Sequence, residues 1–245
     1  MLTNSLLFAT DTVLNHYEVW DTVYGGRPAR VLYSGQRQAA QSGLAQDDNP
    51  HLLFDYNQRL FELINGTLPR RLLLIGGGTY TLPTALLAAI SDIVVDVVEI
   101  DAGLDDLARR YFGLRDNPRL NIIHADGRQF LDRNRQTYDM IVVDAFVHSD
   151  TPNDLTTIDA VKTYRRNLTP AGLFARNIIS AYYGETSVAL HQQLDDFSQV
   201  FDGAHIFPAS TSLPLGIPQN LLLIANMGKR PSFNDLLPYP ALTNS

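Results

Sequence analysis

Three glycines follow a short apolar run, at a point where a strand would give way to a helix. The segment is LLLIGGGTYTLPTALL, in which the glycines are Gly76, Gly77 and Gly78. Glycine lets the chain turn sharply and lets backbone N–H groups approach a ligand at the positive end of the following helix. A bare structural turn would also explain the run. The glycines therefore indicate either a tight turn or a loop that lies against a bound ligand.

Two carboxylates follow the next two apolar runs. Glu99 closes VVDVVEI about twenty residues beyond the glycines, where a carboxylate can accept hydrogen bonds from both hydroxyls of a ribose. Asp126, in the string HADG at 124–127, can accept a hydrogen bond from an exocyclic amine such as N6 of adenine. Asp126 can also cap the next helix, and the two roles are compatible. Asp101 is expected to cap a helix that starts at Gly103.

A dinucleotide site of the dehydrogenase type is the competing interpretation, because Gly76, Gly78 and Glu99 imitate its fingerprint. The third glycine of that fingerprint would fall at Thr81, and Asp126 has no standard role in it. The pattern therefore favours a mononucleoside site over a dinucleotide site.

Alternating strands and helices from Arg71 onward must position these residues. Strands are predicted at 71–75, 93–100, 119–124, 138–144, 172–179 and 220–226, and helices at 80–89, 103–112, 127–133, 155–167 and 186–201. Near-continuous apolar strands separated by helices are typical of a doubly wound α/β fold, a parallel sheet covered on both faces. Ligands of such sheets bind beyond the carboxyl ends of the strands, so the glycines and both carboxylates are expected at one edge.

The first fifty residues differ from the rest. Short strands at 16–20 and 30–33, joined by the turn Gly25-Gly26, predict a small β-hairpin domain over 1–48, ahead of a Rossmann-like domain over 49–245. The segment 34–50 is polar and turn-rich. Asp48 or Asn49 is expected to cap a helix from Pro50 to Ile64, which the pair Asn65-Gly66 would end.

Composition excludes several functional classes. A net charge of −7 argues against nucleic-acid binding, and no run reaches the roughly 18 apolar residues of a membrane helix. The start lacks the basic residues of a secretory signal, so a cytoplasmic protein without a membrane partner is expected. The chain has no cysteine, and its six histidines show no metal-ligand spacing, so no metal is expected.

Taken together, the stretch from about His16 to Asn226 resembles the spermidine synthase family, the polyamine aminopropyltransferases. The matching strings are IGGG at 75–78, VVEID at 97–101, ADGRQFL at 125–131, YDMIVVDAF at 138–146 and LTTIDAVKTYRRNLTPAGLF at 155–174. The resemblance implies an S-adenosylmethionine-dependent methyltransferase-like domain behind a small N-terminal β-domain. It also implies transfer of the aminopropyl group of decarboxylated S-adenosylmethionine to a polyamine or diamine, release of methylthioadenosine, and a homodimer.

The resemblance further implies roles for individual residues. Glycines 76–78 and Gly127 would lie against the nucleoside, Glu99 would hold its ribose and Asp126 its adenine. Asp144 falls where the family carries its catalytic carboxylate. Such a group makes chemical sense, because only a deprotonated amine can attack the carbon beside a sulfonium and a carboxylate can receive its proton. Alternatively, Asp144 only caps a loop at the end of a strand.

The acceptor half departs from the family pattern. Thr79 stands where the family has an aspartate that grips the aminopropyl amine, and the second carboxylate after Asp144 is missing at its usual spacing, with Asp150 or His148 as a substitute. Tyr56 is the survivor of a Tyr-His-Glu string. The candidate substrate-binding residues are thus Thr79, Tyr56 and Asp150. Two other functions stay open: a methyltransferase that uses S-adenosylmethionine itself, and a non-catalytic relative that binds a nucleoside or only dimerises.

Overall fold

Two β-sheets and six α-helices make up the described part of the chain. The computed structural model describes residues 4–37, 39–47, 52–146, 152–210, 212–228 and 242. Among the helices in these ranges, none is long and apolar enough to span a membrane.

The N-terminal sheet is antiparallel, with its four strands in chain order. The strands are β1 (Ser5–Asp11), β2 (His16–Tyr24), β3 (Arg27–Ser34) and β4 (Ala39–Ala45). β2 and β3 pair around the predicted turn, where Gly25 and Gly26 have φ of +56° and +81°. The sequence predicted only a two-stranded hairpin here, whereas the sheet has four strands. β4 forms in the segment expected to be a polar loop. Its small residues allow close packing: a Cβ on Gly43 would lie only 2.5 Å from Cδ2 of Leu53.

The large sheet is mixed and has seven strands. They are β5 (Arg71–Ile75), β6 (Val94–Glu99), β7 (Leu120–His124), β8 (Tyr138–Val143), β9 (Leu168–Ser180), β10 (Gly203–Pro208) and β11 (Gln219–Asn226), in the order β10-β11-β9-β8-β5-β6-β7. β5 to β9 are parallel as predicted, whereas β11 is antiparallel to β9 and β10 is antiparallel to β11. The all-parallel prediction fails there because no helix separates β10 from β11, so the two strands pair directly.

The helices are α1 (Asp55–Thr67), α2 (Thr81–Ala89), α3 (Gly103–Tyr111), α4 (Gly127–Arg133), α5 (Ile158–Asn167) and α6 (Val188–Ser198). Five lie close to their predicted ranges. α1 does not, because it passes through Asn65-Gly66 and ends at Thr67, and its C-cap Leu68 takes the left-handed conformation with φ of +49°. The predicted start at Pro50 is too early, because residues 52–54 are not helical and α1 begins at Asp55. The expected cap at Asp48 or Asn49 lies outside the described residues.

One buried cluster joins the two sheets on one side of β5, and a second cluster covers the other side of β5. Val31 of β3 packs in one cluster with Leu74 of β5, while the next residue, Ile75, faces a second cluster that includes Phe197 of α6. A third cluster packs β2 and β3 against Leu104 of α3. The N-terminal sheet therefore stands beside the carboxyl edge of the large sheet. The domain boundary at 48/49 falls outside the described residues and stays a prediction.

Candidate active site

The glycine loop is held between the ends of β6 and β8. The N–H of Gly76 donates to the Val98 carbonyl at 2.9 Å, and the N–H of Asp144 donates to the Ile75 carbonyl at 2.8 Å. Gly76 and Gly78 have φ of +96° and +53°, in the left-handed region that favours glycine. A Cβ on Gly76 would also lie 2.7 Å from the carbonyl carbon of Asp144. Position 76 therefore requires glycine, both because of its left-handed backbone conformation and because a Cβ would collide with the backbone of Asp144.

Glu99 is buried and fixed by three backbone donors. Its Oε2 accepts hydrogen bonds from the N–H groups of Gly77 at 2.7 Å and Gly78 at 3.1 Å, and its Oε1 accepts from the N–H of Asp101 at 2.9 Å. Oε1 accepts only one of these bonds and has a second lone pair, so the side chain can still accept from a ligand. The predicted neighbours are thus brought together, with Glu99 preorganised beneath the glycine loop.

Asp126 caps α4, as one of the two sequence interpretations predicted. Its Oδ1 accepts a hydrogen bond from the N–H of Gln129 at 2.8 Å. Gly127 begins the helix so close to β5 that an added Cβ would lie 2.6 Å from Cγ2 of Ile75. The expected cap at Asp101 is also present, since its Oδ1 accepts from the N–H of Gly103 at 3.0 Å. The second carboxylate oxygen of Asp126 takes no part in this cap, so the adenine-binding role of Asp126 stays a prediction.

Asp144 lies directly after β8, half-buried beside two polar side chains. The Nδ2 of Asn177 donates to its Oδ1 at 3.0 Å, and the hydroxyl of Tyr56 is its other hydrogen-bonding neighbour. Burial raises the pKa of Asp144 from 3.8 to about 6, against the lowering effect of both hydrogen bonds. Burial and the nearby Asp144 likewise raise the pKa of Tyr56. A carboxylate with this pKa is suited to receive a proton near neutral pH.

These groups surround one cleft of about 340 Å³, the central cleft. The carboxyl edge of the large sheet forms its floor, and the N-terminal sheet forms a wall with Tyr17, Gln41 and Ser42. Its carboxylates are Glu99, Asp126, Asp144 and Asp154, and none of its described lining residues is Lys, Arg or His. The central cleft therefore suits a cationic ligand.

Thr79 lies behind the wall of the central cleft, contrary to the expectation of a direct substrate contact. Its side chain is fully buried, and its Oγ1 shares a hydrogen bond of 2.5 Å with Oγ of Ser42. Ser42 is the member of this pair that lines the central cleft. The hydroxyl of Thr79 is thus committed to joining β4 to the glycine loop. Asp150 and His148 lie outside the described residues.

Sequence reasoning missed several residues of the site. Gln41 and Ser42 belong to the unpredicted strand β4, and Tyr17 was only part of a predicted strand. Asn57 also lines the central cleft, although Tyr56 was the one residue of the Tyr-His-Glu string that the sequence predicted to bind substrate. Asn177 carried a detectable signal, because it is a polar residue inside an otherwise apolar predicted strand. Within the described ranges, no group of three or more histidine or acidic side chains could hold a metal ion.

Comparisons with known proteins fit this geometry. A family model described as "Spermine/spermidine synthase domain" matches residues 57–214. A polyamine aminopropyltransferase from Vibrio vulnificus (strain CMCP6) is 30% identical over 115 residues, which are 46% of this chain and 38% of that protein. Matches to other curated polyamine aminopropyltransferases span 47% and 57% of their lengths. The chain thus aligns with about half the length of these relatives.

Solved structures show the same fold. A probable spermidine synthase from Corynebacterium glutamicum ATCC 13032 superposes with a TM-score of 0.78 at 20% identity, over 93% of this chain and 82% of that one. Human methyltransferase-like protein 13, in complex with SAH, superposes with a TM-score of 0.61 at 20% identity, over 72% of this chain and 83% of that one. At these identities the likeness concerns the fold, and the predicted methyltransferase-like α/β fold is confirmed.

Proposed function

Because the chain belongs to the spermine/spermidine synthase family, we propose that it transfers the aminopropyl group of decarboxylated S-adenosylmethionine to a diamine or polyamine and releases methylthioadenosine. The observation that carries the proposal is the raised pKa of Asp144, in a cleft whose described lining holds four carboxylates and no basic side chain. A base beside a site for cations is what attack by an amine on a sulfonium requires.

The donor would lie across the glycine loop. Glu99, fixed by the N–H groups of Gly77 and Gly78, would accept from both ribose hydroxyls. The second oxygen of Asp126 would accept from the adenine amine, and Gly127 would lie against the nucleoside. Preorganised acceptors of this kind bind a ligand without first paying to order their own side chains.

Asp144 would act on the acceptor. An amine enters as an ammonium ion, gives one proton to Asp144, and attacks the methylene carbon beside the sulfonium with its freed electron pair. The new C–N bond forms as the C–S bond breaks, and the electron pair of that bond neutralises the sulfur. Tyr56 and Asn177 would hold the carboxylate in line during this step. Asp144 then passes its proton to water.

One observation favours the alternative of a methyltransferase. Thr79 supplies no carboxylate for the aminopropyl amine, because it is neutral and bound to Ser42. S-adenosylmethionine, however, carries a carboxylate of its own, which would enter a cleft whose described charged groups are all acidic. Like charges in a partly dry cleft repel more strongly than in water. The charge pattern therefore favours the decarboxylated donor.

The direct test incubates the purified protein with either donor and a panel of diamines and polyamines. We expect methylthioadenosine from decarboxylated S-adenosylmethionine and no S-adenosylhomocysteine from S-adenosylmethionine. S-adenosylhomocysteine alone would establish the methyltransferase function instead. If neither product forms and neither donor stabilises the protein against thermal unfolding, the chain is a non-catalytic relative.

A pH dependence follows from Asp144. The carboxyl must be deprotonated to receive the proton, so kcat at saturating amine should fall about tenfold per unit as the pH drops below about 6. Tyr56→Phe removes a hydrogen bond that lowers the pKa of Asp144, so it should move this acidic limb to higher pH. A limb that stays in place in Tyr56→Phe would show that the hydroxyl does not act on Asp144.

Glu99→Gln should weaken binding of methylthioadenosine. The substitution removes a charged acceptor from the ribose and turns an amide N–H₂ toward backbone donors, which costs about 1–3 kcal/mol, or roughly 5–150-fold in Kd. Isothermal titration calorimetry measures the change directly. Glu185→Gln, at an exposed position outside the central cleft, is the matched control and should bind like the wild type. Equal affinities for both variants would remove Glu99 from the nucleoside site.

A further inference from the structure

Tyr80 has an unusual backbone conformation for a large residue. It closes the glycine loop directly before α2, with φ of +57° and ψ of +24°, in the left-handed region that favours glycine. A bulky aromatic residue keeps this conformation only where its surroundings fix it, and the side chain of Tyr80 is fully buried. Because Tyr80 closes the loop, the contacts that fix Tyr80 also fix the shape of the loop.

The ring of Tyr80 lies directly beneath Gly77. A Cβ on Gly77 would lie 2.7 Å from Cε1 of that ring. The N–H of Tyr80 donates to the Gly77 carbonyl at 2.9 Å, and the N–H of Gly77 donates to Oε2 of Glu99 at 2.7 Å. The ring thus supports the backbone segment whose N–H group orients Glu99.

Asp105, in the first turn of α3, holds the other end of the Tyr80 side chain. The Tyr80 hydroxyl donates to Oδ1 of Asp105 at 2.6 Å. Burial and the bond to Asp105 raise the pKa of Tyr80, so its hydroxyl remains a donor throughout the neutral pH range. The Oδ2 of Asp105 lies 3.2 Å from Nε2 of His124, whose side chain is 40% exposed, so this second contact is the weaker one. The bond between Tyr80 and Asp105 therefore connects the glycine loop to α3.

Neither Tyr80 nor Asp105 lines the central cleft, so each can act on a ligand there only through other residues. We propose that Tyr80 and Asp105 are positioning residues, whose hydrogen bond holds the N–H groups of Gly77 and Gly78 on Glu99 and so sets the affinity for the nucleoside. The inference rests on the part of the proposed function that places a nucleoside on the glycine loop. Without the bond, Glu99 would have to become ordered as the ligand binds, and this ordering lowers affinity.

The hydroxyl of Tyr80 distinguishes a positioning role from simple packing. Phenylalanine fills the same space beneath Gly77, so Tyr80→Phe removes only the bond to Asp105. Tyr138 offers a matched control, because it is also buried and its hydroxyl donates to the buried Asp96 at 2.9 Å. Tyr138 begins β8, at the edge of the sheet away from the glycine loop, and does not line the central cleft. Tyr138→Phe should therefore lower stability but leave nucleoside binding unchanged.

The test is isothermal titration calorimetry with methylthioadenosine, at a temperature where circular dichroism shows every variant folded. Tyr80→Phe and Asp105→Leu should each raise Kd about tenfold, and the double variant should raise it no further, because both substitutions remove the same bond. Asp105→Asn keeps an oxygen that can accept from the Tyr80 hydroxyl and should stay within about threefold of the wild type. An unchanged Kd in Tyr80→Phe, or a double variant whose Kd rises by the product of the two single effects, overturns the inference.

Turnover measurements separate this inference from the proposed function. In Tyr80→Phe, KM for decarboxylated S-adenosylmethionine should rise about tenfold while kcat stays within about twofold, since the bond affects binding and not the chemical step. A lower kcat with an unchanged KM for the donor overturns the inference. If the wild type binds methylthioadenosine but does not form it, the proposed function fails, and the comparison of Kd values still decides the role of Tyr80. A wild type that does not bind methylthioadenosine overturns the inference.

Discussion

Asp144→Asn is expected to reduce methylthioadenosine formation by about 10²–10⁴-fold, the range typical of a lost general base. The amide has nearly the same shape and can keep its contacts with Asn177 and Tyr56, but it cannot receive a proton at neutral pH. Product formation under saturating donor and amine, measured by liquid chromatography, gives the effect on kcat. Asp92→Asn, at an exposed position, is the matched control and should be fully active.

The same variant should be more stable than the wild type at about pH 8. The folded-state pKa of about 6 lies above the ordinary value of 3.8, so the charged form of Asp144 destabilises the fold at high pH. This penalty, on the order of 1–3 kcal/mol, disappears in Asp144→Asn and should shrink to nothing below about pH 4. Unchanged activity of Asp144→Asn would remove Asp144 from the mechanism. Stability below that of the wild type at both about pH 8 and about pH 4 would show that burial does not dominate the pKa of Asp144.

Gly76→Ala should cause the largest loss of stability among substitutions in the glycine loop. The new methyl group would lie 2.7 Å from the carbonyl carbon of Asp144, a backbone atom that cannot move aside independently. The φ of +96° adds strain for any residue with a Cβ. We expect a loss of about 3–5 kcal/mol, the upper range for single substitutions, with loss of nucleoside binding in any folded fraction. Urea unfolding followed by circular dichroism measures the first effect.

Gly113→Ala is the matched control for this experiment. Gly113 also has a positive φ, +78°, but a Cβ there would meet nothing within 4 Å. The control therefore carries the conformational cost alone, about 1 kcal/mol. Similar losses in both variants would show that Gly76 is kept for its backbone conformation and not for the close approach of the β8 loop.

The carboxyl edge of the large sheet was predictable because its determinants are local. Each strand from β5 to β8 is a short run whose end lies at, or within two residues of, a glycine or a carboxylate, and a parallel sheet brings those ends to one edge. Asp126 needed no knowledge of distant residues, since it lies three residues before the backbone donor it caps. Glu99 contacts Gly77 and Gly78, about twenty residues earlier, but those contacts follow from the pairing of the adjacent parallel strands β5 and β6. This is why their placement around the glycine loop followed from spacing.

The acceptor side was not predictable because it depends on pairings between distant segments. β4 is held by its neighbours in the N-terminal sheet and by packing against Leu53, and nothing in its polar sequence indicates a strand. Thr79 was expected to contact substrate, yet a hydroxyl 37 residues away, on Ser42, takes its hydrogen bond. Asn177 reaches Asp144 across the pairing of β8 with β9. Such contacts are decided by tertiary structure and not by local pattern.

A crystal structure with bound methylthioadenosine tests the central claim most directly. We expect both ribose hydroxyls within about 3 Å of Glu99, the adenine amine within about 3 Å of Asp126, and the thioether sulfur on the side of the cleft that holds Asp144. A nucleoside that binds with its ribose away from Glu99, or outside the central cleft, would contradict the account.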